Sequence, residues 1–140
     1  AFLMSDGSIR APDGASNQQF NNVTIQQSLF AVIYHRNHLA IMSANPLTET
    51  GGVYNYDFTT SADQAYNSGQ QELGGGWFGM FAADVNADGM VDASDVSFWE
   101  SHAGASGYLP EDLSLDGQVD NTDKNDFWVP NLGAGTQVPD

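Results

Sequence analysis

The sequence contains no cysteine, which excludes disulfide staples and thiolate metal sites. Basic residues are nearly absent. Arg10, Arg36 and Lys124 face 18 Asp and Glu, for a formal net charge of −15. A chain this poor in cations lacks the groups that neutralise phosphate, so nucleic acid and anionic membrane surfaces are excluded as partners. No apolar run approaches the ~18 residues of a membrane span. Neither G-x-S-x-G nor H-E-x-x-H occurs, and with cysteine also missing the chain is not read as an enzyme. It opens at Ala1 with no initiator Met and no signal peptide, as expected of a processed form or a piece of a larger precursor.

What is present falls into two parts. With 140 residues, 41% of them hydrophobic, the chain has material for one domain or two small ones. Residues 1–82 read as β. Ala1 to Met4 is a short apolar run, and Asp6-Gly7 and Asp13-Gly14 are turn signals. Leu29 to Tyr34 is apolar at every position, the pattern of a strand buried on both faces. The polar break His35-Arg36-Asn37-His38 precedes a further apolar run, Leu39 to Met42. Tyr54, Tyr56 and Phe58 alternate with polar residues, as in a half-buried strand. Residues 61–76 read as loop, and Trp77 to Ala82 as a last strand. About five strands are too few for a complete sandwich, so an incomplete one with open edges is expected.

Residues 83–140 differ in kind. Asp84–Asp95 and Asp112–Asp123 repeat at an offset of 28, with six of twelve positions identical, and hold eight of the fourteen Asp. The first loop carries Asp84, Asn86, Asp88, Met90, Asp92 and Asp95 at positions 1, 3, 5, 7, 9 and 12. The second carries Asp112, Ser114, Asp116, Gln118, Asp120 and Asp123 at the same positions. Calcium is a hard cation that takes six to eight oxygens, and this spacing supplies them as the chain coils round an ion. Position 7 would contribute its carbonyl, and position 9 would act through water. Gly89 and Gly117 sit at position 6, where the turn is sharpest. Val91 and Val119, at position 8, should point into a core between paired loops. Each loop leads into a helix: Asp92 to His102, stopped at Gly104, and Asn121 to Trp128, stopped before Pro130. Two calcium ions are therefore the expected cofactors.

Position 12 is Asp rather than the Glu usual in EF-hands, and no amphipathic helix precedes either loop. In these features residues 83–130 resemble dockerin type I repeats, which are similar to EF-hands lacking the entering helix. More broadly, the chain is similar to the C-terminal regions of large secreted bacterial surface proteins. The resemblance is carried by His35 to Leu39, Tyr56 to Thr60, Gln64-Ala65-Tyr66, Gly74-Gly75-Gly76 and Gly135 to Pro139. It implies an extracellular or cell-surface setting and a β domain that in such relatives starts before Ala1. The expected architecture is α+β: an N-terminal β-sandwich short of strands over residues 1–82, then a dockerin-like pair of calcium loop–helix units over residues 83–140.

Two functions compete. The first is a calcium-stabilised structural subunit of a cell-surface or filamentous assembly, joined to neighbouring copies by strand donation. The second is a docking module for a cohesin-like partner. In the family that choice is carried near the end of each loop, here at Ser94 and Val96 and at Thr122 and Lys124. His35 and His38 have the spacing of a zinc pair, but turn histidines bonded to backbone are the favoured reading. Trp77, Trp99 and Trp128 could form a sugar platform, although the latter two lie in the repeat helices and are expected in the core. Asn22-Val23-Thr24 has the form of a glycosylation sequon.

Overall fold

The computed structural model describes residues 2–3, 8–21 and 24–139, the first two by backbone alone. Ala1 and Met4, the Asp6-Gly7 turn, and Asn22 and Val23 of the sequon lie outside the described residues. The fold is mixed α+β, with small antiparallel sheets followed by helices. β1 (Phe2–Leu3) pairs with β2 (Ile9–Arg10), and β3 (Val32–Ile33) with β4 (Ile41–Met42). β5 (Thr48–Thr50) pairs with β6 (Val53–Asn55), and β7 (Gln71–Gly74) with β8 (Trp77–Gly79). Each of these sheets has two strands, and among the described residues their outer edges carry scattered contacts, such as Arg10 with Asn17 and the Phe78 amide with the Thr59 carbonyl.

Several expectations for this half need correction. Leu29 to Tyr34 is not buried on both faces. Its side chains alternate, with Leu29, Ala31 and Ile33 turned inward and Phe30, Val32 and Tyr34 exposed at 43%, 41% and 77%. One sheet face is half-buried, and nothing among the described residues covers the other. The segment 61–76 is not plain loop. It holds two short 3-10 turns, Ala62–Gln64 and Tyr66–Ser68, and then β7. Gly74-Gly75-Gly76 is the hairpin turn between β7 and β8, with all three residues at positive φ, a region open to glycine. Polar composition concealed this strand because β7 is largely exposed.

Among the described residues two helical segments follow. α1 spans Ala93–His102. The second segment begins with a π-helical turn, Asp123–Trp128, and continues as α2, Val129–Asn131. It does not stop before Pro130. The Val129 N–H reaches back to the Lys124 carbonyl, and Pro130 falls in the first turn of α2, where a missing N–H leaves no bond unmade. No helix among the described residues is long and apolar enough to cross a membrane.

The core lies where the two halves meet. Leu39, from the first half, packs with Ala83, Val85, Val91 and Leu113, flanked by Phe81, Phe127, Trp128 and Ala134. The polar break at residues 35–38 makes this junction. Asn37 is fully buried and its Nδ2 donates to the carbonyls of Pro110 and Asp112, while its own carbonyl accepts from the Ala83 amide. One asparagine thus touches the chain just ahead of both loops. Leu39 N–H donates to the Phe81 carbonyl, and Thr136 Oγ1 donates to the Ala40 carbonyl.

His35 and His38 sit beside this latch, bonded to side chains rather than to backbone. Their Nδ1 atoms are 3.0 Å apart, and His38 Nδ1 lies 2.8 Å from Asn37 Oδ1. Because Asn37 Nδ2 already donates to carbonyls, its Oδ1 must accept, so a single proton on His38 Nδ1 serves the cluster. Burial first, then the His35 and Arg36 charges, push His38 down to about 4; burial and Arg36 also lower His35. His38 is neutral in the fold at pH values where the unfolded chain protonates it, and His35 shifts in the same direction. The unfolded state therefore binds more protons between about 6.5 and about 4, and stability falls as pH drops through that window. The melting temperature should decline from pH 7 toward 4.5, and His38→Gln should flatten the decline. A melt indifferent to pH over that range would contradict the arrangement.

Candidate metal centre

The two Asp-rich loops adopt the same conformation, and it follows from their residue types. Asp and Asn side chains readily bond amides two residues onward, which turns the chain tightly. In the first loop Asn86 Oδ1 accepts from Asp88 N–H, and Asp88 Oδ1 from Met90 N–H. In the second, Asp116 Oδ1 accepts from Gln118 N–H. The position-1 carboxylates reach across the loop: Asp84 Oδ2 accepts from Gly89 N–H, while Asp112 accepts from Asp116 and Gly117 N–H. Gly89 and Gly117 both have φ near +90°, which fits the glycine expected at position 6.

Position 12 closes each loop. Asp95 Oδ1 accepts from Val85 and Asn86 N–H, and its Oδ2 accepts from Asp92 N–H. Asp123 repeats this with Leu113, Ser114 and Asp120. Asp92 Oδ1 in turn accepts from Ser94 N–H, so positions 9 and 12 form a capping box at the start of α1. Bonds from Ser94, side chain first, hold the Asp92 carboxyl below the usual carboxylate range. Burial agrees between the loops. Positions 1 and 12 are buried, position 3 is half-buried, and positions 5, 7 and 9 are exposed.

Val91 and Val119 are buried, but the loops do not pair with each other. Each pairs with the segment that follows the other repeat's helix. Val91 N–H donates to the Ala134 carbonyl and Gly133 N–H to the Val91 carbonyl; Val119 does the same with Ala105 and Gly104. Trp99 Nε1 donates to the Asp120 carbonyl, and Trp128 Nε1 to the Asp92 carbonyl. The repeats therefore clasp each other reciprocally through position 9. Both tryptophans serve this clasp rather than a sugar platform; Trp77 is exposed on β8.

The clasp carries a signal in the sequence that the loop repeat alone misses. Phe98-Trp99 and Gly104-Ala105 recur as Phe127-Trp128 and Gly133-Ala134, at an offset of 29 rather than 28. One residue has been added between Asp123 and Trp128, and the π-helical turn there absorbs it.

All donors in the two loops are oxygens, the set a hard cation such as calcium selects. Asp84 Oδ1 is buried and has no hydrogen-bond partner. Burial, and then the Asp95 and Asp88 charges, raise the Asp84 carboxyl above its ordinary range. A folded-state value raised in this way means that ionised Asp84 destabilises the ion-free fold at neutral pH. A cation at this oxygen relieves that penalty, so the first loop fits a calcium ion. The fit is through mixed donors. Asp95 has one lone pair left after its three amides. Among the described residues, no three His, Cys, Asp or Glu side chains are gathered so as to hold a metal by themselves. His35 and His38 bind one another and Asn37. Comparison with known protein families, curated proteins and solved structures finds no match to this chain.

The insertion at the π turn can be checked directly. Deleting exposed Asn125 should convert the turn to α-helix, restore the spacing of the first repeat and leave the melt within about 1 kcal/mol of the parent. Deleting Ser97 from α1 should swing Trp99 off the Asp120 carbonyl and destabilise by several times that. Equal losses from the two deletions would overturn the assignment.

Proposed function

We propose that this chain is an extracellular calcium-binding structural protein, a calcium-stabilised subunit of a cell-surface or filamentous assembly, with no catalytic role. The observation that carries the reading is the buried, unpartnered Asp84 Oδ1 inside a loop whose conformation recurs at Asp112–Asp123. The liganding groups would be Asp84, Asn86, Asp88, Asp92 and Asp95 with the Met90 carbonyl, and Asp112, Ser114, Asp116, Asp120 and Asp123 with the Gln118 carbonyl. Bound calcium would balance carboxylate charge that the chain's own cations are too few to offset.

The assembly half of the proposal rests on the β region. We read it as an incomplete sandwich that a neighbouring copy completes. Isolated two-stranded ribbons are marginal in water, and here they come with sparsely bonded outer edges and an exposed apolar row, Phe30, Val32 and Tyr34. Strand donation between copies would cover both. The β1–β2 ribbon, at the start of the chain, would be the donated piece. The surface that a cohesin-like partner would use is partly committed within the chain. Ser94 Oγ bonds Asp92 and accepts from Asn86, and Lys124 Nζ lies 4.8 Å from the Trp99 ring centroid. Self-association is therefore the reading we favour over docking.

Calcium at 100 times its dissociation constant should add about 2.7 kcal/mol per site to the folded state. Asp88→Ala and Asp116→Ala should each remove about one site's worth of that gain while leaving the melt in chelator close to the parent's. If neither variant changes the gain, the loops are not the calcium sites. Sedimentation velocity tests the assembly: large species in calcium that vanish on deleting residues 1–5 support strand donation. Monomers in calcium that bind a cohesin panel would transfer the function to docking.

A further inference from the structure

The two loops match in conformation but not in charge. Arg36 reaches the second loop from the junction segment, with Nη2 3.6 Å from Asp112 Oδ2. Its guanidinium carbon lies 3.6 Å from the centroid of the Tyr108 ring, and the side chain is mostly buried. Arg36 Nε is buried without a hydrogen-bond partner, so the group is held by stacking and by the carboxylate. Both Asp112 oxygens are thus occupied: Oδ1 by the Asp116 amide, Oδ2 by the Gly117 amide and the nearby guanidinium. In the first loop Asp84 Oδ2 accepts from the Gly89 amide, Asp84 Oδ1 has no partner, and among the described residues no cation pairs with Asp84. Position 3 sharpens the contrast, because Asn86 offers an amide oxygen where Ser114 offers a hydroxyl.

We propose that Arg36 is a built-in cation of the second loop that weakens calcium binding there, so that the two loops fill in order, the first before the second. This rests on the calcium reading given above. An arginine can never be titrated away, and here it faces the position-1 carboxylate. It stabilises the second loop without calcium and opposes a divalent ion by direct repulsion. The first loop has no such substitute and depends on calcium for its charge balance. Because Arg36 lies next to Asn37, the cation that steadies the second loop also steadies the latch between the halves. The junction then holds at calcium levels too low to fill both sites, and only the clasp tightens as calcium rises.

The test is calorimetric titration of calcium into the chelator-stripped full chain. The parent should show one tight and one weak class, with Asp88→Ala removing the tight class and Asp116→Ala the weak one. Arg36→Gln should tighten the weak class on the order of tenfold and leave the tight class alone, while Arg36→Lys should keep it within about threefold of the parent. If Arg36→Gln fails to fold, the single-site chains still decide. Asp116→Ala must bind its remaining ion at least about tenfold more tightly than Asp88→Ala does. Equal or reversed affinities, or a weak class indifferent to Arg36→Gln, would overturn the proposal while two bound ions kept the calcium reading intact. Failure of the parent chain to take up calcium would overturn both.

Discussion

Two carboxylates with no solvent exposure, Asp95 and Asp123, hold the C-terminal half together. Each gathers three backbone amides: two from the start of its own loop and one from position 9 of that loop. Loop closure, helix initiation and loop-to-helix angle thus depend on one side chain in each repeat. Charge-assisted bonds of this kind are stronger than neutral ones, but a buried carboxylate also needs compensating charge. The chain has three Lys and Arg, of which Arg36 lies at the second loop and Lys124 over Trp99. The first loop has none, and there the need for an external cation is greatest.

Several features follow from that constraint. Short Asp and Asn side chains fold the loops tightly enough to bury positions 1 and 12, and that burial, together with the like charges it brings close, raises the Asp84 carboxyl. Small residues after each helix, Gly104-Ala105 and Gly133-Ala134, allow the exiting strand to bond the opposite loop. Close approach is visible at the C-terminal end, where a Cβ on Gly135 would fall 2.8 Å from Met90 Sδ. The reciprocal clasp makes each loop a support for the other repeat's helix. The β half is then attached through Asn37 and Leu39, so charge balance in the loops and order at the junction are linked.

The loops were legible because their chemistry is local. The repeated carboxylate positions, the glycine turn and the buried position 8 could be read from a twelve-residue pattern, whereas the capping box appears only in the structure. The second helix runs past the stop that Pro130 suggests, because the wide π turn ahead of it depends on spacing rather than residue type. The change of offset between the loops and the Phe-Trp-x4-Gly-Ala segments was present in the sequence and would have revealed it. The partner of each loop was not legible, since a valine at position 8 does not say which backbone it will meet. In the β half the apolar run Leu29 to Tyr34 suggested two covered faces. Composition records what a strand needs to bury, and the described residues cover one face only.

The central claim is that the acidic loops take up two calcium ions and that the fold tightens as they do. Native mass spectrometry of the chelator-stripped chain at rising calcium measures this most directly. The account predicts two discrete additions per chain and no further specific uptake, each accompanied by a shift to lower charge states as the chain compacts. A chain that stays unmodified in millimolar calcium, or binds many ions in a statistical series without compaction, would contradict it.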